Sequence, residues 1–235
     1  MIKMIVSSFY NTIITEDDAI TRTTMLEIER LRNKGILFSI CTNRTYQEVL
    51  DYNKDFPFLD YIIALNGSYI YDVKKARCIL KKKISLASRK KITNIFSDKE
   101  IYYYTANNIL TNKDNIAEED IYKIEVVIDD INEINKLDTI NVNYSLLERD
   151  NKKYLEIISN KSSMFTAVDQ ISLKNSIALK DILVVCANES DYSLVKNVPN
   201  SFVVKNANKE LKKAAAHIIN AESSQGVERL LKKIK

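Results

Sequence analysis

The residues of this chain with types suited to chemistry fall in short polar stretches that directly follow apolar runs. The first, Ser7-Ser8-Phe9-Tyr10-Asn11-Thr12, comes after the β-branched run at residues 2–6 and precedes an acidic patch, Glu16, Asp17 and Asp18. Ser8 offers a hydroxyl that would need an adjacent base to attack anything. The single histidine, His217, lies near the far end of the chain with no evident partner. Tyr10 carries a phenol whose ordinary pKa of about 10 is too high for acid catalysis near neutrality. The second stretch, Thr42-Asn43-Arg44, puts a hydroxyl at the start of a helix, where it can cap the backbone or help hold an anion. The third, Ala187-Asn188-Glu189-Ser190-Asp191, follows another apolar run.

These stretches need strands to present them. Residues 2–6, 36–41, 61–65 and 182–186 are apolar runs too short for helices, and they read as buried strands. Residues 21–34 carry Met25, Ile28 and Leu31 at helical spacing, with Gly35 as a stop signal. Strand, helix and parallel strand form a right-handed unit, and open α/β sheets place ligands beyond the carboxyl ends of their strands. Asn66-Gly67 is a turn signal between the third strand and a short one at 69–72. From Lys75 to Lys83 the composition turns basic and the alternation fails. A helix at 86–96, strands around Tyr102-Tyr103-Tyr104 and at 122–128, a short helix near 131–136 and a strand at 139–147 then read as an inserted α+β module. The strand at 154–158 is expected to bring the chain back to the core, with Ser162 capping the next helix. This divides the chain into core (1–80), insert (81–152) and core (153–235).

Composition narrows the function classes. A net charge of +4 is below what nucleic-acid binders usually carry, and Lys81-Lys82-Lys83 and Arg89-Lys90-Lys91 lack interleaved aromatic platforms. Cys41, Cys78 and Cys186 have no zinc spacing. With no leader and no run of membrane length, a reducing bacterial cytoplasm is the expected setting, with neither membrane nor nucleic acid as partner. There are 3 glycines where average usage would give roughly 16, so no glycine-rich loop is present to cradle phosphate.

The frame resembles the haloacid dehalogenase superfamily, especially its Cof-type sugar-phosphate phosphatases. There the first strand runs into Asp-x-Asp-Gly-Thr; Ser8 stands for the nucleophilic Asp, Tyr10 for the acid–base Asp and Asn11 for Gly, while Thr12 matches. The second motif, Thr-Gly-Arg, is matched by Thr42 and Arg44, with Asn43 for Gly. The family lysine falls on Met164, with Lys161 three residues earlier as a substitute cation. In the Gly-Asp-x-x-Asn-Asp loop, Cys186, Ala187 and Ser190 replace the first Gly, the first Asp and the Asn, and Asp191 matches. Asn206-Ala207 matches a further family pair. The resemblance implies an α/β fold, a Rossmann-like parallel sheet core with an inserted smaller α+β cap.

It also implies what has been lost. In the family a magnesium ion, held by the nucleophile, a backbone carbonyl two residues on and the acidic loop, neutralises the repulsion between carboxylate and phosphate dianion. Losing a nucleophile alone can cost roughly a million-fold in turnover. The expected function is therefore a catalytically silent pseudophosphatase that binds a small phosphorylated ligand or a protein partner, with no cofactor. Thr42, Asn43, Arg44 and Asp191 are the expected ligand-binding residues, and Tyr10 and Met164 are expected to pack together and make the cleft small and dry. The alternative is a magnesium-dependent phosphomonoester phosphatase that recruits Asp17, Asp18, Glu189 or Asp191 as metal ligands.

Overall fold

The computed structural model describes residues 1–14, 19–54 and 57–235. The acidic patch at Glu16, Asp17 and Asp18, two of whose residues were candidate metal ligands, lies outside them.

Five strands come first: β1 (Met4–Ser8), β2 (Leu37–Cys41), β3 (Tyr61–Ala64), β4 (Tyr69–Asp72) and β5 (Arg77–Lys81). Five more follow: β6 (Ile101–Tyr104), β7 (Ile109–Thr111), β8 (Lys123–Ile128), β9 (Val142–Arg149) and β10 (Lys152–Ser159). The last are β11 (Ile182–Cys186), β12 (Asn200–Val203) and β13 (His217–Ile218). The helices are α1 (Arg22–Arg32), α2 (Tyr46–Lys54), α3 (Leu86–Ile95), α4 (Met164–Lys174), α5 (Tyr192–Asn197), α6 (Lys209–Ala214) and α7 (Ser223–Lys233).

Eight strands form the core sheet in the order β13-β12-β11-β1-β2-β3-β4-β5. From β13 to β3 neighbouring strands are parallel, and β4 and β5 are added antiparallel. Central strand β1 is buried at every residue, which is why it reads as a continuous apolar run rather than an alternating one. Alternate residues still serve different faces. Ile5 packs with Ile28 and Leu31 of α1, Val49 of α2 and Val227 and Leu231 of α7. Met4 and Val6 pack with Val168 and Ile171 of α4, Leu194 of α5 and Leu211 of α6. Each such side chain contributes about 1.5–3 kcal/mol on burial. The strand order reverses beside β1, with β2 on one side and β11 on the other, and that is where a crevice opens.

The other five strands form a separate antiparallel sheet, β7-β6-β8-β10-β9, with its own core of Ile92, Phe96, Tyr103, Ile124, Leu155 and Ile157. This corrects the expected boundary. Residues 154–158 do not return the chain to the core sheet: β10 pairs antiparallel with both β8 and β9. The break placed at residue 153 falls just past the tip of a hairpin. Its two turn residues, Asp150 and Asn151, both adopt left-handed backbone, φ +53° and +58°, as a tight hairpin turn requires. The insert therefore runs to Ser159. The cap of α4 is Ser163, not Ser162: the Ser163 hydroxyl accepts the Thr166 N–H at 3.0 Å. No helix among the described residues is long and apolar enough to cross a membrane.

Candidate functional site

A cleft of about 640 Å³ opens where the carboxyl ends of β1, β2 and β11 meet the inserted sheet. Its floor is made by Tyr10, Asn11, Thr42, Asn43, Ala187 and Asp191, and its roof by Leu146, Leu147, Arg149 and Glu156. The three stretches singled out in the sequence thus converge, although they lie far apart along the chain.

The loop after β1 is a wide turn, non-helical at Tyr10 and Asn11, closed by the Ile14 N–H on the Phe9 carbonyl, 3.2 Å. Within it Asn11 sits at φ +60°, a conformation that asparagine tolerates better than most non-glycine residues. Asn11 can therefore hold the family's glycine position. Thr12 is buried and donates its hydroxyl to the Ser8 carbonyl.

Ser8 and Asp191 are each about 1% exposed, and the Ser8 hydroxyl donates to Asp191 Oδ2 at 2.5 Å. The same oxygen accepts the Asn188 N–H at 2.9 Å and the Ala187 N–H at 3.2 Å. Burial pushes the Asp191 carboxyl above its ordinary range, although the Ser8 hydroxyl and the two backbone donors pull the other way. His217 is elsewhere, stacked on Phe202 at 4.6 Å on an edge strand. The group beside Ser8 is thus a carboxylate that the sequence did not pair with it. The flanking thiols of Cys41 and Cys186 are fully buried, which pushes both well above their usual range.

Asn188 joins the two loops. Its Nδ2 donates to the Tyr10 carbonyl at 3.1 Å and its Oδ1 accepts from Asn11 Nδ2 at 2.9 Å. Thr42 is 5% exposed and its hydroxyl accepts the Arg44 N–H at 3.1 Å. Asn43 lines the cleft and donates to Glu156 of the roof at 2.9 Å.

Two expected site residues are not where the sequence reading put them. Met164 does not line the cleft. It is 1% exposed and belongs to the apolar cluster on one face of the core sheet. The reason is periodicity: Met164, Ala167, Val168 and Ile171 make one helical stripe, and that stripe faces the sheet. Tyr10 packs instead against Phe9, edge-on at 5.0 Å, with the Arg44 guanidinium 4.6 Å from its ring centroid. The cleft is consequently open, not filled by a Tyr10–Met164 contact. Lys161 is exposed and lies outside the cleft lining, so it does not replace the family lysine.

The sequence reading also missed a buried charge cluster above the floor. Lys123 Nζ donates to Glu125 at 2.6 Å, to Glu156 at 3.2 Å and to the Asn43 carbonyl at 2.7 Å. All three charged side chains are about 1% exposed. The period-two pattern Lys123-Ile124-Glu125-Val126 was the available signal, but such alternation ordinarily marks a solvated face.

The family model for haloacid dehalogenase-like hydrolases matches residues 5–143 and 98–231. The chain belongs to this family. The resemblance to its Cof-type branch agrees with that match. A protein of Buchnera aphidicola subsp. Acyrthosiphon pisum named "Putative phosphatase" is 24% identical over an alignment of 271 positions, covering 100% of this chain and 97% of the relative. A phosphatase of the haloalkanoate (HAD) enzyme superfamily from Bacteroides thetaiotaomicron has the same fold, with a TM-score of 0.87 at 15% identity over 99% of this chain and 94% of the other. A HAD subclass IIB sugar phosphatase gives 0.85 at 16% identity over 98% of each chain. The haloacid dehalogenase-like fold, parallel core and inserted cap included, is therefore that of this chain.

Asp191 gives a pH-dependent prediction. A carboxyl raised in the fold contributes stability below its unfolded pKa of about 4, and that stability is lost as pH rises through the folded value. Asp191→Asn removes the buried charge, and its carbonyl oxygen can keep the donors to Oδ2. The variant is expected to gain stability on the order of 1 kcal/mol relative to the native chain at pH 8, and less at pH 4. Urea unfolding at the two pH values checks this; an equal or reversed difference contradicts it.

Proposed function

We propose that this haloacid dehalogenase-like protein is a catalytically silent, cytoplasmic member of its family that binds a small phosphorylated ligand in the cleft between core and cap. One observation carries the reading: the hydroxyl standing at the nucleophile's position is spent on Asp191, the one acidic family residue retained at the site. The three free thiols suit a reducing compartment.

The residues present do not fit the family's magnesium ion. Of the donors that would hold it, Ser8 carries no carboxylate, Ala187 has no polar side chain, and the Tyr10 carbonyl already accepts from Asn188. Asp191 Oδ2 already accepts three hydrogen bonds, and among the described residues no cluster of three acidic, histidine or cysteine side chains is placed to hold a metal. Among the described residues an octahedral shell of oxygens has too few protein ligands.

The second reading, a working phosphatase, draws on the comparisons, since the family is one of hydrolases and the relatives are phosphatases by name. The open cleft favours it as well. In that reading the Ser8 hydroxyl and Asp191 would act together as nucleophile and base. A phosphatase assay on generic phosphomonoesters, with magnesium and then with EDTA, separates the two. The expected result is no turnover, and no shift of Tm at millimolar magnesium. Turnover near 1 s⁻¹, an ordinary enzymatic rate, that EDTA abolishes would overturn the silent reading. Turnover that survives EDTA and is lost in Ser8→Ala would assign the chemistry to the Ser8–Asp191 pair.

A further inference from the structure

The last strand of the core sheet, β5, pairs on one side only, antiparallel with β4. Outside that ladder no backbone group of residues 77–81 bonds to the backbone of another described segment. A side-chain contact, the Cys78 thiol on the Leu80 carbonyl at 3.0 Å, stays within the strand. A bare edge of this kind is a template for one more strand. The opposite edge of the sheet, β13, has two residues, too few to hold a partner, whereas β5 has five.

The same edge is strongly basic. Residues 74–83 hold Lys74, Lys75, Arg77, Lys81, Lys82 and Lys83 and no acidic residue. Lys83 is paired with Asp120 at 2.6 Å, and Lys75 lies near enough to Asp72 to help hold that carboxyl below its usual range. Among the described residues Lys74, Arg77, Lys81 and Lys82 have no carboxylate partner at ion-pair distance, although Lys81 stands 5.8 Å from the Tyr69 ring centroid. The whole chain carries a net charge of only +4, so these cations are a local concentration, not a sample of an evenly basic surface. A groove of about 400 Å³ runs beside the strand, with Cys78, Ile79 and Leu80 on one side and Gln170 and Lys174 of α4 on the other. Ile79 and Leu80 are only half-buried against the core, which leaves apolar surface along it. None of these residues lines the cleft between core and cap.

We propose that β5 is a docking edge for an extended acidic peptide segment of a partner protein. The segment adds a strand to the core sheet, sets its carboxylates against Lys74, Arg77, Lys81 and Lys82, and seats an apolar side chain in the groove. In strand addition the main-chain bonds supply affinity and the pockets beside the edge supply specificity, and β5 offers both. A second copy of this chain is a poor occupant. Two β5 strands paired antiparallel about Ile79 would set Arg77 of one copy opposite Lys81 of the other, and like charges directly opposite each other are destabilising. Nucleic acid would use the cations but not the alternating carbonyls of the edge. The docking edge is independent of what the cleft binds and of whether the protein turns over a substrate.

Fluorescence anisotropy with a labelled peptide of about seven alternating Glu and Val residues, long enough to span β5 at about 3.4 Å per residue, tests this. The native chain is expected to bind it saturably at about 0.15 M salt and to leave the same peptide with Lys for Glu unbound. N-methylation at every Val, or at every Glu, keeps all the charges but removes the donors from one edge of the peptide or the other. One of these two peptides should bind about tenfold more weakly than the parent. The double reversal Arg77→Glu with Lys81→Glu should weaken the parent peptide by about tenfold or more, and its Tm shows whether it is folded. The N-methylated peptides need only the native chain, so they decide the matter even where that variant fails to fold. Absence of saturable binding would overturn the docking edge and leave the lysines as a shield against edge-to-edge association. Equal affinity for the parent and both N-methylated peptides would overturn it by reducing the contact to charge. Unchanged affinity in a folded double variant would overturn it by placing the peptide elsewhere. An oligothymidylate of the same charge that binds as tightly as the peptide would overturn it in favour of a nucleic-acid surface.

Discussion

Replacing Gly67 with alanine is expected to destabilise the fold by about 3–5 kcal/mol, in the range reserved for strained or overpacked sites. Leu65, Asn66 and Gly67 make a run of three residues in left-handed backbone, at φ +50°, +54° and +87°. Glycine alone takes this conformation freely. The bulky Leu65 already bears strain of order 1–3 kcal/mol. At Gly67 a second constraint is added, because the start of α4 passes directly over it. A Cβ there would overlap the Ser163 carbonyl group and lie 2.8 Å from the Met164 nitrogen. Those are backbone atoms, and they cannot turn aside as a flexible side chain would. Shifting them would move Met164, Ala167 and Val168 out of the cluster on the core sheet. Urea unfolding measures the effect, with Gly35→Ala as the comparison. Gly35 also has positive φ, +81°, but open space around its Cβ position, so its cost should be about 1 kcal/mol. Equal costs at the two positions would show that backbone conformation, not the approach of α4, sets the Gly67 requirement.

The same turn shows what could be read from sequence and what could not. Asn66-Gly67 was legible as a turn from two residues, but its role was not. Asn66 is 4% exposed and donates to Glu156 of the cap at 3.1 Å, a partner 90 positions away. Local pattern located β1, β2, β3 and β11, because strands buried on both faces are continuous apolar runs. It also brought Ser8, Thr42 and Asp191 to one end of the sheet, because parallel strands present their carboxyl ends together. It failed at the hairpin of β9 and β10, where Asp150-Asn151 lacks the glycine that usually marks such a turn. It failed at Met164 as well, because the family alignment pointed to the cleft while the helical stripe pointed to the sheet. The hydrogen-bonded loops behind the site were out of reach for a simpler reason. Asn188 meets Tyr10 and Asn11 across 178 and 177 positions, and neither composition nor spacing encodes such a meeting.

Lys123→Met is expected to cost about 3–5 kcal/mol, because it removes one partner of a buried charge cluster and leaves the others uncompensated. The Lys123 ammonium lies 4.0 Å from the Tyr104 ring centroid and holds Glu125, Glu156 and the Asn43 carbonyl together. Asn43 belongs to the core and the two glutamates to the cap, so the lysine also fastens one module to the other. Burial alone would raise the Glu125 carboxyl, but the Lys123 ammonium, the Tyr104 hydroxyl and Arg149 outweigh it and hold the group below the ordinary range. The sign of the pH dependence follows from that. In the native chain the Glu125 contribution is present above its unfolded pKa, about 4.3, and is lost as pH falls through the lower folded value. Without the ammonium, burial dominates, the folded pKa rises, and the penalty grows as pH climbs through it. The gap between native and variant chains should therefore be widest near pH 8 and narrow towards pH 4. Adding Glu125→Gln and Glu156→Gln to Lys123→Met removes the stranded charges and should recover most of the loss at pH 8. Urea unfolding of native, single and triple variants at both pH values decides the matter. A penalty in the single variant that does not depend on pH, or a triple variant no more stable than the single one, would show that Lys123 acts through packing of its alkyl chain rather than through its charge.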